Sequence, residues 1–213
     1  MKITKTKVLW GIFILYSILH YLLLPIALLY SKDIIDLGRV GITRYFLNYI
    51  ARSILFILFF IITTIIFTKK KYNKDFNKVF ILFLISTSIF IDTLGNFAGW
   101  YDVNDIVGVF WFDDLVHFIV PLLFTLALFC YLAFIRKESK KRSILLSGSF
   151  VFSLSSLWEV FEYWSDKLAK TELLKGGVED TFNDLTADLL GVLTCCIALW
   201  IIFGRKKGKK TTS

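Results

Sequence analysis

The sequence predicts an all-α polytopic membrane protein with six transmembrane helices and both termini in the cytoplasm. Three observations predict it. The 213 residues are 56% hydrophobic and 17% aromatic, with mean hydropathy +0.67, far from soluble composition. The apolar residues come in blocks long enough for a helix to cross the bilayer, which takes about 20 residues. The net charge of +8 is segregated, with Lys and Arg concentrated beside alternate blocks. That placement points to membrane orientation and excludes nucleic acid as the partner.

The first span, about 8–30, follows Lys2, Lys5 and Lys7. It is too long for a signal peptide and lacks a small-residue cleavage site, so it reads as a transmembrane helix, with Pro25 a kink near its far end. His20 within it reads as a hydrogen-bonded core histidine. Residues 31–49 mix acids, arginines and apolar side chains in the manner of a short interfacial helix. The second span, about 50–67, opens on Arg52 and leads to the basic loop of Lys69, Lys70, Lys71, Lys74 and Lys78. The third, about 79–94, ends in Asp92-Thr93-Leu94-Gly95-Asn96 and a loop with no Lys or Arg. The fourth, about 111–135, opens on Trp111-Phe112-Asp113-Asp114-Leu115-Val116-His117 and then carries no charge. Arg136, Lys137, Lys140, Lys141 and Arg142 form the next basic loop. The fifth, about 143–164, carries Trp158-Glu159-Val160-Phe161-Glu162 near its end, and a polar loop with a Gly176-Gly177 turn follows. The sixth, about 181–204, starts with Asn183, Asp184 and Asp188 before a basic tail at 205–213. Residues 1–204 thus form one transmembrane domain. Cys130, Cys195 and Cys196 all lie in apolar blocks, which indicates neither a disulfide framework nor a zinc knuckle.

Orientation follows from charge. From the N-terminal tail through the loops to the C-terminal tail, Lys and Arg number three, four, five, none, five, three and five. The positive-inside rule puts all three five-charge segments in the cytoplasm, in the plasma or inner membrane. Of the acids, only Asp75 and Glu138 then face inward. A rise of about 1.5 Å per residue puts His117, Glu159 and Asp188 roughly 7–10 Å inside their helix ends, with Asp92 and Asp184 shallower. Asp113 and His117, Glu159 and Glu162, and Asp184 and Asp188 are each three or four apart and share a helix face. Ionisable faces in a membrane turn to the bundle interior or a wet cavity, so one outward-opening acidic site is expected. Asp92, Asn96, Asp114 and Asn183 are its further polar candidates.

Part of this pattern has a purely structural reading. Capping and the helix dipole account for acids near N-termini, here Asp113, Asp114, Asp180 and Asp184. Glu159, Glu162 and Asp92 lie near predicted C-termini, where the dipole disfavours anions. They need a proton, a cation or a positive partner, for which Arg44, Asn48 and Arg52 stand ready. A salt-bridge lock between helices is then the alternative to a functional site. Trp100, Tyr101, Trp111, Tyr163 and Trp164 read as an interfacial belt. Gly191 reads as a close-packing position, and Ser153, Ser155 and Ser156 as interhelical hydrogen-bond donors.

The motifs Asp92-x2-Gly95-Asn96, Asp113-Asp114-x2-His117-Phe118, Trp158-Glu159-x2-Glu162 and Asp184-x3-Asp188-x2-Gly191 resemble the YjdF-like family of small prokaryotic inner-membrane proteins. More distantly they are similar to the VanZ-like family, associated with glycopeptide resistance and the cell envelope. Asp113, His117, Glu159, Asp184 and Gly191 match the VanZ-like pattern as they stand. Asp114, Glu162 and Asp188 replace its Lys, Gln and Asn, and its Arg before Asp184 is missing, so the site here is more acidic. The resemblance covers residues 92–191.

Three functions stay open at this point. The first is a metal-dependent enzyme acting on a lipid-linked or envelope substrate. Asp113, His117, Asp184 and Asp188 would be ligands for Zn, Mn or Mg, with Glu159 or Glu162 as general base. The second is a non-catalytic envelope or lipid-binding membrane protein, with the acids as a lock. The third is a proton-coupled transporter of a cationic solute. Standard signatures are lacking: there is no H-E-x-x-H, position 117 breaks D-D-x-x-D, and no glycine-rich phosphate loop or Ser/His/Asp triad can be argued. Oligomeric state is not encoded in any of these features.

Overall fold

The computed structural model describes residues 5–31, 58, 76–98, 100–102, 112–169 and 177–204. Among the described residues every regular element is helical. Helix α1 (Lys5–Ser31) runs through Pro25. Helix α2 (Phe76–Ala98) leads to a 3-10 turn, Trp100–Asp102. Helix α3 (Phe112–Cys130) continues into a π-helical turn, Tyr131–Ile135. Helix α4 (Lys140–Ala169) follows, then α5 (Val178–Leu199) with its own π-helical turn, Trp200–Gly204. Of these, α2 to α5 are long and apolar enough to cross a membrane. The expected second span at 50–67, the interfacial segment, and Arg44, Asn48 and Arg52 lie outside the described residues, as does the His20 side chain.

The surface agrees with a lipid setting. Leu145, Phe150, Leu157, Phe161, Ile197 and Ile201 are all exposed. A soluble bundle would bury such stripes, whereas hydrocarbon accepts them. Most hydroxyls inside the helices are satisfied locally, as an apolar solvent favours, Thr125 and Ser143 being the buried exceptions among the described residues. Ser86 donates to the Leu82 carbonyl at 2.7 Å, Ser88 to Leu84 at 3.0 Å and Thr93 to Ile89 at 2.8 Å. Ser153 and Ser156 likewise donate within α4, to the carbonyls of Ser149 and Phe152. The expectation of interhelical bonds for these two is therefore corrected: a hydroxyl in a helix finds its own preceding turn first.

Helix ends depart from expectation in ways that matter for the acids. Helix α4 extends to Ala169, so Glu159 and Glu162 sit about two to three turns before its end. The unfavourable dipole reaches only the last turn, so it is not what strains these two carboxylates. Helix α2 similarly continues past Asp92 to Ala98. Helix α5 starts at Val178, because Gly177 takes the left-handed φ of 68° that turns the chain into it. Glu179 and Asp180 occupy its first turn, and Asp184 lies beyond it. The capping reading of Asp184 is thereby overturned, while Asp113 and Asp114 do lie in the first turn of α3.

Helix α3 is the centre of the bundle. It packs on α2, α4 and α5, while α1 packs on α2. At the Lys/Arg-rich end the helices close on a tight apolar core of Phe129, Cys130, Ala133, Ile144, Cys195 and Leu199. There Lys140 lies 3.5 Å from the centroid of the Phe134 ring, and Phe203 packs 5.5 Å from Phe129. At the other end α3 and α5 approach at Gly191, where a Cβ would run into the Phe118 carbonyl oxygen. The obstacle is backbone and cannot swing aside. Gly191→Ala is therefore expected to push α5 off α3 and cost about 1–3 kcal/mol, an overpacking penalty. A thermal unfolding midpoint in detergent equal to that of the wild type would show that the contact is looser than this.

Candidate metal centre

The acidic site forms where these three helices meet, next to the Gly191 contact. Helix α3 supplies Asp113 and His117 one turn apart, α4 supplies Glu159, and α5 supplies Asp184 and Asp188. The His117 imidazole lies between two pairs of carboxylates. Its Nε2 is 3.7 Å from Asp113 Oδ1 and 3.9 Å from Asp184 Oδ1. Its Nδ1 is 3.2 Å from Asp188 Oδ1, a hydrogen bond, and 3.7 Å from Glu159 Oε1. Each edge of the ring thus faces two acids. Asp113, His117 and Asp184 form one group whose ligand atoms lie within 4.8 Å of one another, and His117, Glu159 and Asp188 form another.

The burial of these groups is unusual for carboxylates. The side chains of Glu159, Asp184 and Asp188 are only 2–3% exposed, against 12% for His117 and 29% for Asp113. Both oxygens of Glu159, Oδ1 of Asp184 and Oδ2 of Asp188 accept no hydrogen bond among the described residues. Nor do these three acids pair there with any Lys or Arg. One imidazole, even as a cation, balances one of the three. Leaving a buried charge uncompensated costs several kcal/mol in a protein interior. Carboxylate oxygens beside an imidazole nitrogen are donors that Zn, Mn and Mg accept. The residues present therefore fit a divalent cation.

A cavity of about 460 Å³ opens beside the cluster. It lies between α2 and α4, which do not pack on each other among the described residues, with α3 behind it. Asp92, Tyr101, Asp113, His117, Glu162 and Asp188 form its polar part. Val116, Val120, Pro121, Phe124, Val151 and Leu154 make the apolar wall that continues from it. A substrate with a polar group at the cluster and a hydrocarbon portion beyond it matches that division.

The remaining candidates are placed as follows. Glu162 is buried and lines the cavity one turn after Glu159. Asp92 also lines it and accepts a hydrogen bond of 2.6 Å from the Tyr101 hydroxyl. Asp114 is partly buried and belongs to neither ligand group, and Asn183 is exposed on α5. The Asn96 side chain lies outside the described residues. The sequence places Tyr101 in an interfacial belt; in the fold its ring packs on Phe112 with centroids 5.1 Å apart and its hydroxyl donates to Asp92. Pro121 went unremarked in the sequence. It follows His117 by four and so withholds the N–H that would otherwise bond the His117 carbonyl. A proline one turn after an intramembrane histidine is a signal that sequence reading had available.

The family description "Predicted membrane protein (DUF2238)" matches residues 34–205. That is most of the chain. This protein belongs to the DUF2238 family. The DUF2238 assignment agrees loosely with the YjdF-like resemblance, whereas the VanZ-like similarity rests on sequence motifs alone. An uncharacterized protein of Thermotoga maritima is 26% identical over 131 residues, covering 59% of this chain and 63% of that relative. The alignment thus spans less than two thirds of the relative's length. No solved structure matches this DUF2238 member. It is an integral membrane protein by family and by helix composition, and it carries a His/Asp/Glu group able to hold a metal.

Proposed function

We propose that this DUF2238 protein is a divalent-cation-dependent membrane enzyme acting on a lipid-linked or cell-envelope substrate in the extracytoplasmic half of the plasma membrane. One observation carries the reading. Three helices converge on His117 with buried carboxylates, and both oxygens of Glu159 and one each of Asp184 and Asp188 have no hydrogen-bond partner among the described residues. Nε2 of His117, with Asp113 and Asp184, would hold the cation at the more open ring edge. Asp188 accepts the Nδ1–H bond that sets the tautomer and orients the ring. A cation bound there would act as a Lewis acid and lower the pKa of a coordinated water. Glu162, on the cavity wall beside Glu159, is placed to take the proton of an attacking water. The apolar wall from Val116 to Phe124 supports a hydrocarbon-bearing substrate, and Zn, Mn and Mg all suit the ligands.

The orientation joins residues 8–30 and 50–67 to the four candidate spans, giving six with both termini cytoplasmic. The charge pattern supports it. A reporter active only in the cytoplasm is expected to work after residue 204 and fail in the loop 97–110; the reverse result contradicts the orientation. Among the described residues the basic end closes on an apolar core around Phe129, Ile144 and Leu199, which favours an enzyme over a transporter. For the function, purified protein is expected to carry a divalent metal that the Glu159→Gln/Asp184→Asn double variant lacks. It is also expected to convert a component of membrane lipid extract in a chelator-sensitive manner that Glu162→Gln abolishes. Equal, negligible metal in wild type and double variant removes the reading. Bound metal without turnover leaves a lipid-binding protein.

A further inference from the structure

We infer that His117 stands between two cation positions, so that the site is a two-cation centre. The inference rests on the metal-centre reading above and extends it to the other edge of the ring.

The first position is the Nε2 edge, with Asp113 and Asp184. The second is the Nδ1 edge, where Glu159 Oε1 stands 3.7 Å and Asp188 Oδ1 3.2 Å from the nitrogen. These atoms form a second ligand group, each within 4.8 Å of the others. The two groups share the imidazole and no carboxylate. A single cation on the Nε2 edge leaves Glu159 on the far side of the ring. Its side chain is only 2% exposed, and neither of its oxygens accepts a hydrogen bond among the described residues. Asp188 keeps Oδ2 in the same state. One buried carboxylate with both oxygens unpartnered, beside a second with one, is itself a donor set waiting for a cation. Glu159 comes from α4 and Asp188 from α5, so a cation there also ties together two helices that the first position does not join.

The two positions differ in access. The Nε2 group contains Asp113, which is 29% exposed and borders the cavity. In the Nδ1 group both carboxylates are buried. Asp188 of the second group also lines the cavity, so both positions border it, the first through the more exposed Asp113. A second cation held by Nδ1 would displace the proton that Nδ1 shares with Asp188, releasing it to water, and the ring would serve both edges as an imidazolate.

The test is Mn2+ stoichiometry of the full-length chain in detergent, stripped with chelator and then dialysed to equilibrium against Mn2+. The expected result is two ions per wild-type chain and one in Glu159→Gln. Asp113→Asn is also expected to retain one. Helical circular dichroism and a monodisperse elution profile verify that each variant is folded. The wild-type count needs no variant and stands alone if the variants fail to fold. One ion per wild-type chain overturns the two-cation inference and leaves the single-cation reading intact. No ion overturns both.

Discussion

Neutralising Glu159 is expected to stabilise the cation-free protein. In Glu159→Gln the side chain keeps its shape, and a buried negative charge with two unpartnered oxygens is removed. The amide nitrogen gains acidic neighbours to donate to. Removing an uncompensated buried charge relieves its desolvation penalty, which is several kcal/mol per ion. The structural alternative predicts the opposite sign. If Glu159 were half of a salt-bridge lock, removing it would cost about 3–5 kcal/mol by stranding its partner. Thermal unfolding of wild type and Glu159→Gln in detergent with excess chelator separates the two. A midpoint raised in the variant supports a site built to hold cations, and a midpoint sharply lowered supports the lock. Asp184→Asn is expected to follow the same direction, because Asp184 is equally buried and its Oδ1 also lacks a hydrogen bond.

The second large effect runs the other way and belongs to the wild type. A cation that binds only the folded chain stabilises it by about 2.7 kcal/mol at a hundredfold excess over its dissociation constant. For a chain of this size each kcal/mol moves the midpoint by roughly 2–4 °C on the scale of soluble domains. Mn2+ or Zn2+ is therefore expected to raise the wild-type midpoint by several degrees, and the rise is expected to vanish in His117→Ala. Glu159→Gln and Asp184→Asn should keep their higher cation-free midpoints while losing much of the response. That crossing of effects, more stable without cation and less responsive with it, is hard to obtain from a site whose role is packing alone.

Much of this site was legible in the sequence because a membrane limits what an acid can do. Charge in an apolar block must face inward, and spacings of three and four place Asp113 with His117 and Asp184 with Asp188 on common faces. Comparable depth then suggests that α2 to α5 bring their acids to one level; α3, α4 and α5 meet at His117, while Asp92 of α2 lines the cavity instead. Two things were not legible. Helix ends depend on where the backbone can turn, and Gly177 starts α5 earlier than hydrophobicity alone implies. This moved Asp184 from a cap into the interior, and the extension of α4 to Ala169 takes Glu159 and Glu162 out of reach of its C-terminal dipole. Which ring nitrogen faces which acid is likewise a matter of rotamer and helix rotation, set by tight contacts such as Gly191 against Phe118. Spacing cannot supply it. Tyr101 escaped for a related reason: its role depends on a short turn that folds it back over Asp92.

The central claim is that His117 ligates a divalent cation among these carboxylates. Pulsed electron paramagnetic resonance on the Mn2+-loaded protein reads it directly, because an imidazole nitrogen bound to Mn2+ modulates the echo. The expected result is a nitrogen coupling from a single histidine, absent in His117→Ala. Bound Mn2+ without nitrogen coupling, or a coupling unchanged in His117→Ala, would contradict the account.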